Sequence, residues 1–204
     1  MKRAVSVTEL YNREFEDYDL SNEFKEAFGT PEKNGIWFIW GNSGNGKTSF
    51  ALQLAKELTR FGKLAYNSLE EGTTGTMKKA FKRVGMGDVK HKVVLVSEGI
   101  DELLARLRKQ KSPDIVMIDS IQYTQITFKK FAKIKEEFAH KKLIIFISHA
   151  EGKQPRGNTA VSVMYDANLK IWVEGYTAYS RGRTIGDTGS FTIWKEGAEK
   201  FGNE

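Results

Sequence analysis

The sequence predicts an α/β protein with a mainly parallel β-sheet flanked by helices and an antiparallel β-meander at the C-terminal edge. Short apolar segments recur between residues 36 and 148, and amphipathic helical segments lie between them. These apolar segments lack polar alternation, which is typical of strands buried on both faces of a parallel sheet. From residue 167 onward, shorter segments are spaced like consecutive antiparallel strands. Helices on both faces of a parallel core, with a meander at one edge, account for all three patterns.

Each element can be placed in order along the chain. The predicted core strands are IWFIW (36–40), KLAYNSL (63–69), KVVLV (92–96), DIVMID (114–119) and LIIFIS (143–148). The predicted helices between them span 47–60, 74–84, 100–111 and 128–141. In the last helix, four apolar residues share one face with lysines opposite: Phe128, Phe131, Ile134 and Phe138. The predicted meander strands are ANLKIWV (167–173), YTAYS (176–180) and SFTIW (190–194).

Residues 6–29 predict two short helices ahead of the first strand. The sequence SVTE (6–9) fits a capping box, and the second helix, from Ser21 to Phe28, ends at Gly29, a favoured residue after a helix C-terminus. No internal repeat, low-complexity segment or Pro/Gly/Ser-rich linker divides the chain. We therefore expect a single domain overall, with an N-terminal helical segment (1–30) and a core (31–204).

The composition excludes several function classes. The chain has 204 residues and no cysteine, which excludes disulfides, thiolate metal sites and thiol catalysis. Its three histidines argue against a structural zinc site. Lys and Arg exceed Asp and Glu by 32 − 26 = 6, which is compatible with a polyanionic partner. The N-terminus lacks the apolar core of a signal peptide, and no continuous apolar stretch reaches about 18 residues. We expect a cytoplasmic protein with no membrane partner.

The segment IWFIWGNSGNGKTSF (36–50) contains the pattern G-x-x-x-x-G-K-[ST], placed after a strand and at the start of a helix. Backbone N–H groups in such a loop curl around phosphates, and the helix N-terminus adds partial positive charge. Lys47 is expected on the β- and γ-phosphates, and the Thr48 hydroxyl on Mg²⁺. The structural alternative is a glycine-rich turn with a solvated lysine. The residues expected to hold the nucleotide are Gly41, Asn42, Ser43, Gly44, Asn45, Gly46, Lys47, Thr48 and Ser49.

Three further positions carry polar groups at the ends of predicted strands. Asp119 ends DIVMID and can hold Mg²⁺ through its water shell, or else cap the following turn. Glu70 and Glu71 follow the strand after the P-loop helix, and one carboxylate can orient and deprotonate the attacking water. We favour Glu70, because neighbours on an extended segment point opposite ways; the alternative is two solvated acids before a turn. His149 ends the next strand, either as a γ-phosphate sensor or as a hydrogen-bonded strand terminus.

The ordered set of P-loop, SLEE (68–71), IVMIDS (115–120) and ISHAEG (147–152) resembles the RecA/DnaB-type ATPases, the recombinases and ring helicases. Within them it is most similar to the bacterial RadA type, over residues 30–196. The resemblance implies a RecA-like P-loop NTPase fold. It also implies Mg²⁺-dependent ATP hydrolysis coupled to single-stranded DNA in recombination, repair or replication, in a hexameric ring or a filament. The location it implies is a bacterial or phage-infected cell.

The chain departs from the RadA type in ways that reduce it to a motor core. The zinc module, the protease-like domain and the primase-binding domain of these families have no counterpart here, so the chain is similar in kind to compact RecA-core recombinases of phages. The K-x-R element that reaches a neighbouring subunit's ATP appears as Arg181 and Arg183 in YSRGRTIGDTG (179–189). We expect these arginines on a short, rigid turn, acting as trans contacts; the alternative is a solvated basic turn.

In RecA-like folds, the loops after the Asp119 and His149 strands face DNA. The second loop carries Lys153, Arg156 and Asn158 in a glycine-flanked segment that we expect to be mobile. The first carries Tyr123, either as a stacking surface for a base or packed on the sheet edge. Rival functions are an ATPase of the same fold that regulates a protein partner without DNA, the motor subunit of a ring helicase, and a small P-loop kinase, although no lid-like insertion is present.

Overall fold

The strands begin and end close to the positions that the sequence predicts. The structure is a computed structural model and describes residues 4–203. The core strands are β1 (Gly35–Gly41), β2 (Leu64–Ser68), β3 (Val93–Val96), β4 (Ile115–Asp119) and β5 (Leu143–Glu151). A short strand β6 (Gln154–Pro155) follows, and the tail forms β7 (Leu169–Glu174), β8 (Thr177–Ser180) and β9 (Ser190–Thr192).

The sheet has the predicted mixture of directions. Its order is β3-β2-β4-β5-β1-β7-β8-β9, and β6 pairs with β5 off this path. Every pairing from β3 through to β7 is parallel, whereas β7–β8 and β8–β9 are antiparallel. The prediction of a mainly parallel sheet with an antiparallel meander at the C-terminal edge is therefore confirmed. The β5–β6 hairpin was not predicted.

The helices cover both faces of this sheet. They are α1 (Val7–Tyr11), α2 (Asn22–Phe28), α3 (Lys47–Leu58), α4 (Gly75–Val84), α5 (Ile100–Leu107), α6 (Phe128–Phe138), α7 (Asn158–Asp166) and α8 (Lys195–Phe201). Side chains of β1 alternate between the two layers, since Trp37 and Ile39 pack with α2, α3 and α4, whereas Phe38 and Trp40 pack with α5, α6 and α7. Within residues 4–203, no helix has the length and apolarity needed to cross a membrane.

Helix α7 occupies a stretch that the sequence analysis assigned to a loop. It starts after Gly157, and its buried side chains Ala160, Val163 and Met164 follow helical spacing. The preceding glycine-containing segment is also ordered, because β5 continues to Glu151 and turns into β6. The prediction of a mobile loop after His149 is therefore replaced by a β-hairpin that leads into a helix.

Part of the N-terminal segment belongs to the core. Phe24 of α2 stacks on Phe191 of β9 with ring centroids 4.4 Å apart, and Phe28 lies 5.8 Å from the ring of Phe50 in α3. Tyr18 and Leu20 are also buried. By contrast, α1 contributes no buried side chain in the described part of the chain. The division into residues 1–30 and 31–204 stays a prediction, and the segment from Tyr18 to Phe28 packs as part of the sheet domain.

Candidate nucleotide-binding site

The carboxyl ends of the central parallel strands meet at one edge of the sheet. The register places Gly41 of β1 opposite His149 of β5, and Ser68 of β2 opposite Asp119 of β4. A cavity of about 840 Å³ opens at this edge. It is lined by residues of the P-loop, of the segment after β2, of α4 and of the meander. This placement agrees with the general position of ligand sites in open α/β sheets.

The P-loop has a fixed shape that its glycines permit. Gly41 lies against β7, where a Cβ atom would come within 2.2 Å of the Val173 carbonyl oxygen. Gly46 has φ of 92°, a left-handed conformation that other residues adopt at a cost. Of the predicted nucleotide-binding residues, the cavity is lined by Ser43, Gly44, Gly46, Lys47, Thr48 and Ser49. Asn45 instead shapes the loop, since its side chain accepts a 2.7 Å hydrogen bond from the Gly175 N–H.

Lys47 begins α3 and lies in this cavity. Its ammonium donates a 2.9 Å hydrogen bond to the Asn42 carbonyl oxygen. Burial lowers the pKa of Lys47, and the carboxylates of Asp119 and Glu70 oppose that shift. A desolvated ammonium beside the N-terminus of a helix attracts phosphate oxygens strongly, since both supply positive charge at one place.

Asp119 ends β4 and is 8% exposed. The Tyr66 hydroxyl donates a 2.7 Å hydrogen bond to its carboxylate. Burial raises the pKa of Asp119 from 3.8 to about 6; the bond from Tyr66 opposes the rise and the charge of Glu70 adds to it. A cation that binds beside a buried carboxylate stabilises its charged form, so Asp119 favours cation binding.

Three buried side-chain oxygens near Asp119 have no hydrogen-bond partner among the described residues. They belong to Ser68, Glu71 and Ser120. Ser68 is the strand neighbour of Asp119, and Ser120 follows Asp119 directly. Buried polar atoms are normally paired, and hydroxyl and carboxylate oxygens are the groups that a hydrated Mg²⁺ prefers. The oxygen groups at this end of the cavity therefore fit a hydrated magnesium ion, which Thr48 and Asp119 would hold.

The raised pKa of Asp119 predicts a pH dependence of stability. Because this pKa is higher in the folded protein than in the unfolded chain, the stabilisation is complete below about pH 4 and is lost as the pH rises through about 6. Asp119→Asn should therefore raise the free energy of unfolding of the nucleotide-free protein by roughly 2–3 kcal/mol at about pH 7.5, and change it little at about pH 4. Urea unfolding at both pH values measures this, and an equal effect of the variant at both would contradict it.

The side chains of Glu70 and His149 are in contact in the same cavity. The Glu70 carboxylate lies 3.0 Å from His149 Nε2, and both side chains are partly exposed to the cavity. The Glu70 N–H also donates to the Asp119 carbonyl oxygen at 3.2 Å, which holds the segment after β2 against the end of β4. The two residues that the sequence predicts as water activator and sensor are thus in direct contact.

Both neighbouring glutamates line the cavity. Strand β2 ends at Ser68, and residues 69–72 form bends and a turn. The alternation of an extended strand therefore does not apply there. Glu70 is still the better candidate for the water, because it pairs with His149 and its charge acts on Lys47, whereas one carboxylate oxygen of Glu71 is buried.

Two aromatic side chains of the meander also line the cavity, and the sequence did not predict them. The rings of Tyr176 and Trp194 meet edge to face with centroids 5.0 Å apart, and Trp194 is 48% exposed. Arg83 of α4 also lines the cavity and donates a 3.0 Å hydrogen bond to the Ser49 hydroxyl. The only signal in the sequence is the aromatic residue that ends SFTIW. Flat apolar rings next to a phosphate-binding loop can accept a nucleobase.

Arg181 and Arg183 lie at the opposite edge of the sheet from the P-loop. Strand β8 runs antiparallel to β7, so its end pairs with the beginning of β7. The Arg181 N–H donates a 2.7 Å hydrogen bond to the Lys170 carbonyl oxygen, and both arginines are exposed. From this position they cannot reach the cavity of their own chain.

The connection that carries these arginines is longer than the predicted short turn. It spans residues 181–189 and packs on α2, where the Gly186 N–H donates to the Ala27 carbonyl oxygen at 3.2 Å. A Cβ at Gly186 would lie 2.2 Å from the Glu26 carbonyl oxygen, so the contact with α2 is close. The loop is fixed by this packing rather than by its length.

The predicted DNA-binding residues are all exposed. Lys153 and Arg156 lie on the β5–β6 hairpin, and Asn158 is the first residue of α7. Tyr123 is 54% exposed, so it is not packed on the sheet edge. A smaller cavity of about 260 Å³ lies beside them, lined in part by Arg156, Asn158 and Gln122. Of the predicted DNA-binding residues, Tyr123 lies beside His149, with ring centroids 6.4 Å apart.

Comparison with solved structures identifies the same fold in two archaeal proteins. The flagellar accessory protein FlaH of Methanocaldococcus jannaschii superposes with a TM-score of 0.61 at 16% identity, over 87% of this chain and 92% of that chain. A KaiC-like protein of Pyrococcus horikoshii superposes with a TM-score of 0.62 at 16% identity, over 87% of this chain and 99% of that chain. No protein-family model and no curated protein matches the sequence. The chain shares the α/β fold of these two proteins, with the mainly parallel sheet that the sequence predicts.

Proposed function

We propose that this protein is a Mg²⁺-dependent ATPase that acts on single-stranded DNA as a RecA-like motor core. One observation carries the ATPase proposal: the P-loop lysine Lys47, the buried Asp119 and the Glu70–His149 pair converge on one cavity large enough for a nucleotide. This combination supplies a phosphate cradle, oxygen groups for a cation and a base for water.

Each residue of the cavity has a separate role in the proposed hydrolysis. The N–H groups of the P-loop and the ammonium of Lys47 hold the β- and γ-phosphates. Mg²⁺ held by Thr48 and, through water, by Asp119 would neutralise charge on the phosphates. Glu70 orients the attacking water and takes its proton. Tyr176 and Trp194 offer their rings to the base. His149 meets the γ-phosphate and exchanges that contact for the bond to Glu70 when the phosphate leaves.

The hairpin surface supports single-stranded DNA as the partner. Lys153, Arg156 and Asn158 supply contacts for a phosphate backbone, and the exposed ring of Tyr123 can stack on a base. Together with the resemblance to the RadA type, this supports a proposed role in recombination, repair or replication of bacterial or phage DNA. DNA binding of this kind is largely independent of base sequence, since backbone contacts and stacking do not read base edges.

A charge-matched pair of variants tests the DNA surface. The double variant Lys153→Ala/Arg156→Ala should weaken binding of a labelled oligo(dT) at least roughly fivefold and reduce the slope of log affinity against log salt by up to about 1.4. Lys129→Ala/Lys133→Ala on α6 removes the same charge from exposed positions on another face. Fluorescence anisotropy at several salt concentrations measures both. Equal losses in the two double variants would contradict a DNA site on the hairpin.

A second candidate function is an ATPase of the same fold that regulates a protein partner without DNA. The modest net charge of +6 favours it, because a charge of this size is also found in proteins that bind no polyanion such as DNA. A motor subunit of a ring helicase is the third candidate, and it would share the DNA surface. ATP turnover that is the same with and without DNA would select the protein-regulating ATPase.

We also propose that Arg181 and Arg183 complete the ATP site of a neighbouring copy in a ring or filament. Their position at the edge away from their own cavity supports this, since an arginine that serves a neighbour must point outward. An arginine aimed at a γ-phosphate from another subunit makes hydrolysis depend on assembly.

Mixing two inactive variants tests the trans contact. Lys47→Ala removes phosphate binding, and Arg181→Ala/Arg183→Ala removes the outward cations, so each alone should hydrolyse ATP at most slowly. In a mixture, some interfaces pair an intact P-loop with intact arginines, and activity should return to a sizeable fraction, about a quarter at equal amounts for random pairing. A mixture that stays as inactive as its components would contradict the trans role.

A further inference from the structure

We propose that Gln122 is a positioning residue that couples the nucleotide site to the β5–β6 hairpin. The proposal rests on the ATPase function proposed above. It concerns how the presence or absence of the γ-phosphate changes the conformation of the β5–β6 hairpin. Gln122 does not line the nucleotide cavity and lies in the short 3₁₀ helix Ile121–Thr124, which follows β4.

Three hydrogen bonds place Gln122 between the site and the hairpin. Its side-chain oxygen accepts from the His149 N–H at 3.2 Å. Its side-chain nitrogen donates to the Ser148 hydroxyl at 2.8 Å and to the Arg156 carbonyl oxygen at 2.9 Å. One amide group therefore binds both the part of β5 that carries His149 and the residue Arg156 at the C-terminal end of the hairpin.

The geometry of the hairpin makes this amide a link rather than a local cap. Residues 149–156 close on themselves through the bond from the Arg156 N–H to the His149 carbonyl oxygen at 2.9 Å. The tip is held from the P-loop side, where Asn42 donates to the Gly152 carbonyl oxygen at 3.1 Å. The hairpin is thus attached to the nucleotide site at its tip by Asn42 and at its base by Gln122.

We expect a change at His149 to act on the base of the hairpin, because Gln122 bonds to both. When a γ-phosphate draws His149 away from Glu70, the backbone at His149 shifts relative to the 3₁₀ helix. Gln122 carries that shift to Arg156, because its amide is bonded to both residues. Coupling of this kind needs a contiguous set of contacts that can adopt two arrangements. In this proposal, the two arrangements are His149 bound to Glu70 and His149 bound to the γ-phosphate.

Gln122→Leu tests the link, since leucine keeps about the same volume and removes all three hydrogen bonds. The readout is amide hydrogen exchange of wild type and variant, without nucleotide and with Mg²⁺ and a non-hydrolysable ATP analogue. In the wild type we expect protection of residues 41–49 and a changed exchange rate in residues 150–157. In Gln122→Leu, the protection of the P-loop should remain and the change in the hairpin should fall by roughly fivefold or more.

Two further measurements separate coupling from a structural role. Gln125→Asn is the control on the neighbouring loop, because asparagine tolerates the left-handed φ of 52° found there, and it should behave as wild type. The KM for ATP and the DNA-free turnover of Gln122→Leu should stay within about twofold of wild type, whereas the stimulation by single-stranded DNA should fall roughly fivefold to tenfold.

The outcomes distinguish this proposal from the proposed function. A hairpin that responds to nucleotide equally in wild type and Gln122→Leu overturns the role of Gln122 and leaves the ATPase intact. A protected P-loop with an unchanged hairpin in the wild type also overturns the coupling. If the analogue protects no P-loop residue in the wild type, the ATPase proposal fails and the coupling fails with it.

Discussion

Replacing Lys47 with alanine is expected to lower the steady-state rate of ATP hydrolysis by at least roughly a hundredfold. The ammonium is the one cation that the P-loop itself supplies to the cavity, and it lies between the P-loop carbonyl of Asn42 and the carboxylates of Asp119 and Glu70. Without it, the negative charge that develops on the γ-phosphate has no fixed counter-charge from the loop. Phosphate release measured over a range of ATP concentrations gives the loss in kcat/KM.

The matched control for this variant is Lys56→Ala. Lys56 lies on the same helix α3 and pairs with the exposed Asp88 at 2.7 Å, outside the cavity. It should keep turnover within about twofold of wild type, because exposed ion pairs contribute little. Lys47→Ala should also keep its thermal stability, since burial already disfavours the charged ammonium. Equal turnover in Lys47→Ala and wild type would show that the cavity is not the ATPase site.

Glu70→Gln should lower turnover by roughly 10²–10⁴-fold while leaving the affinity for Mg²⁺ and ATP nearly unchanged. Glutamine keeps the shape of the side chain and can no longer take a proton from water. The variant therefore separates the chemical step from binding. Single-turnover phosphate release measures the first, and fluorescence of a labelled ATP analogue measures the second.

Glu71→Gln decides between the two adjacent carboxylates. Because one oxygen of Glu71 is buried without a partner in the described residues, and Glu70 holds the contact with His149, Glu71→Gln should reduce turnover far less than Glu70→Gln. A larger loss for Glu71→Gln would assign the water-activating role to Glu71. That result would also make the Glu70–His149 pair a structural contact.

The sheet was predictable because its strands leave a distinct signal. Strands β1, β2 and β4 are buried along their whole length, and in β1 and most of β4 this burial appears in the sequence as a run of apolar residues. Helix α7 was missed because a short helix next to glycines and polar residues resembles a loop, and its core contacts with α6 and β1 are tertiary. Its packing, not its propensity, makes it helical.

Some parts of the nucleotide site could be predicted from local sequence, whereas others depend on tertiary contacts. The P-loop follows β1, Asp119 ends β4, and His149 pairs with Gly41 at the end of β1, so a parallel sheet brings all three together. Trp194 enters the cavity only because the meander folds back past the P-loop. The Glu70–His149 contact depends on the bend after β2, whose geometry the sequence does not predict. The hydrogen bonds of Gln122 depend on the path of the hairpin.

The most direct test of the account is ATP hydrolysis by the wild-type protein, with and without single-stranded DNA, over a range of protein concentrations. The account predicts a Mg²⁺-dependent rate per molecule that rises with both DNA and protein concentration, because it proposes that DNA binds the hairpin and that the arginines act between copies. A Mg²⁺-dependent rate that stays flat against DNA would contradict the motor and favour the protein-regulating ATPase. No hydrolysis under any of these conditions would contradict the ATPase itself.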